Sequence, residues 1–101
     1  MTAPRVVSLK GRKPQTLGDN EVYIGHRCTR GGWDLPESRW ANPFRVRRDG
    51  TREQVIAKYA AWLVDQPELM AALPELRGKD LACWCAPAPC HGDVLLRLAN
   101  D

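Results

Sequence analysis

The pattern of apolar and polar positions divides the chain into short strands and three helices. Arg5 to Leu9 (RVVSL) is short and β-branched and predicts a first strand. A polar stretch with Gly11, Pro14 and Gly18 follows, and Glu21 to Gly25 (EVYIG) then predicts a buried strand ending in a glycine. Val55, Ile56, Tyr59, Ala60, Trp62 and Leu63 recur at helical spacing and form one apolar face. Thr51 and Gln54 fit a capping box at its start, with Glu53 in the first turn. Pro67 suits the first position of a second short helix, PELMAAL, which Pro74 closes. After Gly78, Asp80 to Cys85 (DLACWC) predicts another buried strand. A proline-rich turn, APAP, leads into CHGDVLLRLAND, where Val94, Leu95, Leu96 and Leu98 predict a terminal helix.

Strand, helix, strand, helix is the order of a Rossmann-like βαβα unit, and a right-handed crossover makes such strands parallel. The expected fold class is therefore α/β, a single small three-layer-like domain with a short, mostly parallel sheet flanked by helices. Residues 26–50 (HRCTRGGWDLPESRWANPFRVRRDG) contain no long element beyond a helical turn at Pro36 to Ala41. Long irregular segments are uncommon in small domains and are often functional, which makes this the first place to look for a site.

Composition narrows the class. The chain has 101 residues, enough for one domain, and is 44% hydrophobic and 27% charged, which excludes wholesale disorder. No run approaches the roughly 18 consecutive apolar residues that a membrane helix needs. The start, MTAPRVVSLKGRKP, lacks the apolar stretch of a secretory signal, so the expected location is cytoplasmic. In that compartment four cysteines point to metal binding or reactive thiols before disulfides.

The net charge of +3 conceals an asymmetry. Residues 1–52 hold 11 Lys and Arg against 5 Asp and Glu, whereas residues 53–101 hold 4 against 7. Eleven of the fifteen cations are arginines, which pair with phosphate in a bidentate manner and stack on rings.

The sharpest chemical signal is CWCAPAPCHGD. Strand alternation puts Cys83 and Cys85 on one face and Trp84 on the other. Cys90 and His91 fall at a helix N-terminus, where amide donors and the helix dipole stabilise a thiolate or a bound phosphate. Asp93 caps that helix or accepts a proton from His91. Ligand sites of parallel sheets lie beyond the carboxyl ends of the strands. One strand leads there into His26 and Cys28 and the other ends at Cys85, so both histidines and up to four cysteines are expected at one edge.

Three readings of these residues stay open. In the first, zinc is held by three or four of Cys28, Cys83, Cys85, Cys90 and His91. The spacing is not a standard zinc pattern, and neighbouring Cys90 and His91 ligate together only through an unusual bend. In the second, Cys90 or Cys85 is a thiolate nucleophile, with His91 or His26 as base and Asp93 as orienter. In the third, the cysteines serve packing alone.

A second constellation lies in GWDLPESRWANPFRVRR. Trp33, Trp40 and Phe44 alternate with Arg39, Arg45, Arg47 and Arg48, an arrangement suited to stacking on a base while pairing with phosphate. Asn42 is placed to bond a base edge or a ribose, and Asn42-Pro43 favours an extended turn. The structural alternative is that Trp40, Pro43 and Phe44 roof the core. Trp33, flanked by Gly31, Gly32 and Asp34, is the expected exposed aromatic, and Trp62 and Trp84 are expected in the core.

The combination of VYIGHR, LPESRWANPF and LACWCAPAPCHGDVLLRLAN resembles the bacterial and phage family catalogued as domain of unknown function 4326. The resemblance spans roughly residues 20–100, and its hallmark positions fall on Gly25, Trp40, Asn42, Pro43, Cys83, Trp84, Cys85, Cys90, His91 and Gly92. It implies a small α/β domain and carries no activity. His26 and Cys28 are not among those hallmark positions. Residues 1–101 are thus expected as one domain, with 1–19 a peripheral N-terminal segment and 20–100 the family-like core.

The site is expected where the 26–50 segment meets Cys85 to Asp93, binding a nucleotide or nucleic-acid phosphate, with turnover by Cys90 or His91 a subordinate expectation. There Arg45, Arg47 and Arg48 supply charge, Trp40 and Asn42 orient the base, and the backbone from Cys90 to Gly92 receives the anion. Two other classes stand beside this one: a non-enzymatic zinc-stabilised interaction module and a thiol-reactive redox domain.

Overall fold

Three strands pair in parallel in one sheet: β1 (Val6–Ser8), β2 (Glu21–Tyr23) and β3 (Asp80–Cys83). β3 lies in the middle, with Val6 opposite Leu81 on one side and Tyr23 opposite Ala82 on the other. The structure, a computed structural model, describes residues 3–85 and 88–100, so of the expected proline-rich turn only Ala88 and Pro89 are described.

The helices follow the apolar spacing. Helix α1 (Arg52–Val64) opens on the expected capping box: the Gln54 amide donates to Thr51 Oγ1, and the Thr51 amide to Gln54 Oε1. It buries Val55, Tyr59 and Leu63. Helix α2 (Pro67–Ala72) has its proline in the first turn, where a missing N–H costs no helical bond. It ends at Ala72, capped by Leu73 directly before Pro74, as the sequence predicts. The chain continues through a 3-10 turn, Leu73–Leu76, which buries both of its leucines. Helix α3 (His91–Asn100) turns Val94, Leu95 and Ala99 inward.

Strand alternation sorts the interior into two clusters. Leu81, Cys83 and Ile24 face the helices and pack with Tyr59, Leu63, Leu76 and Leu95. Tyr23 and Ala82 face the opposite side and pack with Leu9, Trp33 and Leu35, all from loops. One face of the sheet is therefore roofed by helices and the other by irregular chain.

Several expectations change here. The segment 1–19 is not merely peripheral, since it supplies edge strand β1 and the fully buried Leu9. Trp33 is buried, not exposed, because its ring meets Trp84 edge-on at 5.8 Å across the loop layer. Trp62 and Trp84 are half-buried and flank the two clusters. Trp40 does roof the core, Phe44 is half-buried, and Pro43 is exposed. Residues 26–50 hold turns and one isolated antiparallel bridge, Cys28 with Leu35; the expected helical turn is a single bond from the Ala41 amide to the Ser38 carbonyl. No helix among the described residues is long and apolar enough to cross a membrane.

Candidate functional site

At the carboxyl edge of the sheet lies a cavity of about 750 Å³. The parallel topology puts it there: β2 runs out into His26 and Cys28, β3 into Cys85, and α1 begins at the same edge with Arg52. All four cysteines and both histidines line it, as the strand directions predict. Only three of the sulfurs come together.

Those three belong to Cys83, Cys85 and Cys90, whose Sγ atoms all lie within 4.8 Å of one another. Cys83 and Cys90 are buried, with Sγ atoms 3.6 Å apart, and Cys85 is half-buried. The Cys85 amide points at Cys83 Sγ (3.4 Å) and the Gly92 amide at Cys90 Sγ (3.3 Å). The Cys85 thiol is pushed well down from its ordinary value by hydrogen bonds from Cys83 and Cys90, with Arg52 adding its charge. Cys90 is pushed up by the same sulfur neighbours and by burial. Cys85 stands beside the guanidinium of Arg52, which is itself steadied by the Pro89 carbonyl at 3.2 Å.

His91, Gly92 and Asp93 hold structural positions. His91 is buried, and its Nε2 donates to the Ile24 carbonyl at 2.8 Å while its ring meets Tyr59 edge-on at 5.0 Å. Burial lowers the pKa of the imidazole below its ordinary value. His91 does not join the sulfur group. Asp93 takes the capping role of the two expected for it: its Oδ2 accepts from the Cys90 amide at 3.0 Å. With the Gly92 amide turned to sulfur, the backbone from Cys90 to Gly92 has its donors at both ends engaged, so it is not the open anion cradle expected from the sequence. Gly92 is a packing residue. A Cβ there would stand 2.8 Å from Ile24 Cδ1 and 3.1 Å from Val6 Cγ2, so glycine lets α3 close on the sheet.

The loop wall also departs from expectation. Trp40 is 3% exposed and lies in the core, its carbonyl accepting from Tyr59 Oη at 2.8 Å, so it is not open to a base. Asn42 lines the cavity, but its side chain is spent on backbone groups, accepting from the Phe44 amide of its own loop at 2.9 Å and donating to the Val55 carbonyl of α1 at 3.4 Å. Arg45 lines the cavity; Arg47 and Arg48 do not. Arg47 sits in a left-handed turn (φ 78°), and Arg48 bonds the Pro43 carbonyl and pairs with Asp49.

Three further arginines line the cavity: Arg27, Arg30 and Arg52. Among the described residues none of the four is in an ion pair with a carboxylate, and the lining includes no Asp or Glu. Trp33, Trp84, Tyr23 and Phe44 supply aromatic wall, with Trp84 Nε1 donating to Tyr23 Oη at 3.0 Å and Tyr23 Oη to the His26 carbonyl at 2.5 Å. Both ring nitrogens of His26 face acceptors, Glu37 at 2.7 Å and the Asn42 carbonyl at 2.9 Å.

A family model described as "Domain of unknown function (DUF4326)" matches residues 7–101. The chain belongs to that family. It is 40% identical over 106 residues to "Uncharacterized protein R718" of Acanthamoeba polyphaga mimivirus, covering 97% of this chain and 81% of the relative. It is also 50% identical over 30 residues to the "Uncharacterized 12.4 kDa protein in nrdA-td intergenic region" of Enterobacteria phage T4, covering 30% of this chain and 28% of that protein. No solved structure matches it significantly.

Sequence reasoning missed Arg27, Arg30 and Arg52 as cavity residues of this DUF4326 chain. One signal could have found Arg52. A helix that follows a strand of a parallel sheet starts at the ligand edge, and Arg52 directly follows the N-cap Thr51.

Proposed function

We propose that the cavity binds a nucleotide, free or as part of a single-stranded nucleic acid, through its ring and its phosphate. The observation that carries this reading is an aromatic-walled cavity bordered by four arginines, with no carboxylate among the described residues of its lining. A base stacks on aromatic side chains with little regard to its identity. Guanidinium groups with no carboxylate partner keep their donors for phosphate. The charge comes from Arg27, Arg30, Arg45 and Arg52, in place of the Arg45, Arg47 and Arg48 set that sequence spacing favours.

Tryptophan fluorescence tests this directly, because Trp33 and Trp84 line the cavity. Titration with nucleoside monophosphates and with short single-stranded oligonucleotides should quench the signal, and affinity should fall as salt is raised. Tighter binding of mononucleotides assigns a small-molecule ligand, and tighter binding of oligonucleotides assigns a strand. Binding that ignores salt, or that survives Arg27→Ala with Arg45→Ala, overturns the proposal. Of the two alternatives raised by the cysteines, the sulfur spacing favours metal.

A further inference from the structure

We infer that Cys83, Cys85 and Cys90 form a three-thiolate site for a thiophilic divalent ion of the zinc class, with its fourth coordination position opening into the cavity. The inference does not depend on what else the cavity binds. A zinc ion with Zn–S bonds near 2.3 Å in tetrahedral geometry holds its sulfurs roughly 3.8 Å apart. The three Sγ atoms already meet within 4.8 Å, and Cys83 and Cys90 stand at 3.6 Å, so ligation requires only small side-chain adjustments.

The surroundings fit thiolates. Two backbone amides, of Cys85 and Gly92, point at Cys83 Sγ and Cys90 Sγ, and such outer-shell donors orient and stabilise metal-bound sulfur. Three thiolates and a divalent ion carry a net charge of −1, and Arg52, in contact with Cys85, offsets it. These donors come from both ends of the segment: Cys83 ends β3, and Cys90 immediately precedes α3. An ion there ties the central strand to the terminal helix, where a small core gains most from a tie.

The open position follows from what His91 does. It is the fourth ligand that the sequence offers, yet its Nε2 is bound to the Ile24 carbonyl and it stands outside the sulfur group. Cys28 lies with the loop-side cluster and also stands outside that group. All three sulfur-bearing residues line the cavity, so a metal held by them presents its remaining position to water or to a donor atom of a small molecule there. Three protein ligands plus an exchangeable one is the arrangement of reactive zinc sites, and four protein ligands is that of structural ones.

Cobalt titration of the reduced, metal-stripped full chain tests both parts. One Co²⁺ per chain should bind, with a thiolate-to-cobalt charge-transfer band of three-thiolate intensity and visible bands of a tetrahedral ion. Cys85→Ser should lose about one third of that band, as expected for one of three sulfurs. Cys28→Ser and His91→Gln should leave it unchanged. Imidazole added to the cobalt protein should shift the visible bands by entering the fourth position. No cobalt uptake, or a band of two- or four-thiolate intensity in the unaltered chain, overturns the site without relying on any variant. Visible bands indifferent to imidazole, or altered by His91→Gln, overturn the open position. Nucleotide titration of the metal-stripped protein is read separately by fluorescence, so the two proposals fail independently.

Discussion

The two walls of the cavity are built in opposite ways. The cysteine wall stands on regular structure, at the end of the central strand and the start of α3, and its groups are buried or half-buried and close to one another. The arginine wall hangs mainly on the irregular 26–50 segment. Its backbone is pinned by amides that donate to the side chains of Glu37, Asn42 and Asp49, while Arg27, Arg30 and Arg45 are exposed. The difference separates two tasks. On the proposed reading, rigid elements hold closely spaced donors, and a loop fixed at its backbone carries the long charged side chains.

Substitutions on the two walls should therefore fail differently. His91→Ala should have the largest effect, about 3 kcal/mol of stability by urea unfolding, because it removes ring packing on Tyr59 and leaves the Ile24 carbonyl buried and unpaired. If His91→Ala leaves stability intact and abolishes ligand binding, the cysteine wall is chemistry first and scaffold second, contrary to this division. Gly92→Ala should cost about 2 kcal/mol by overpacking α3 against Ile24 and Val6, again by urea unfolding. A neutral or stabilising result would mean that the helix has room to shift.

On the other wall, Arg45→Ala should lower nucleotide affinity about tenfold, equivalent to about 1.4 kcal/mol, while unfolding stays nearly unchanged. Equal losses of affinity and stability would erase the distinction between the walls. Glu37→Gln should cost the least, below about 1 kcal/mol, since the carboxylate is exposed. The Arg27 amide first, and His26 second, hold Glu37 below the usual carboxylate range. Its contribution is therefore complete above the unfolded value of about 4.3 and is lost as pH falls through the lower folded value. The unaltered protein should lose this support in acid, and Glu37→Gln should flatten that part of the stability profile.

The elements were legible because they rest on local rules. Helical spacing marked Val55, Tyr59 and Leu63, the Thr51–Gln54 box marked the start of α1, and strand alternation separated Cys83 and Cys85 from Trp84. The edge where the site lies followed from strand direction. The jobs of individual side chains were less legible, because distant partners decide them. Trp33 reads as exposed among Gly31, Gly32 and Asp34, yet Trp84, far along the chain, covers it. Trp40 and Asn42 carry groups suited to a base, but the core buries the Trp40 ring and two backbone groups claim the Asn42 amide. Arg27, Arg30 and Arg52 are too widely spaced to form a pattern until the fold gathers them.

The sheet order has a consequence for how the molecule is made. β3 sits between β1 and β2 but follows both in the chain, with Val6 paired to Leu81. During synthesis the first two strands have no neighbour to bond until residues 80–83 emerge. Local α1 can form early, but the sheet and the cavity at its edge must close together in one late step. Such separation in sequence slows folding, and any interruption before β3 leaves two unpaired strand segments exposed.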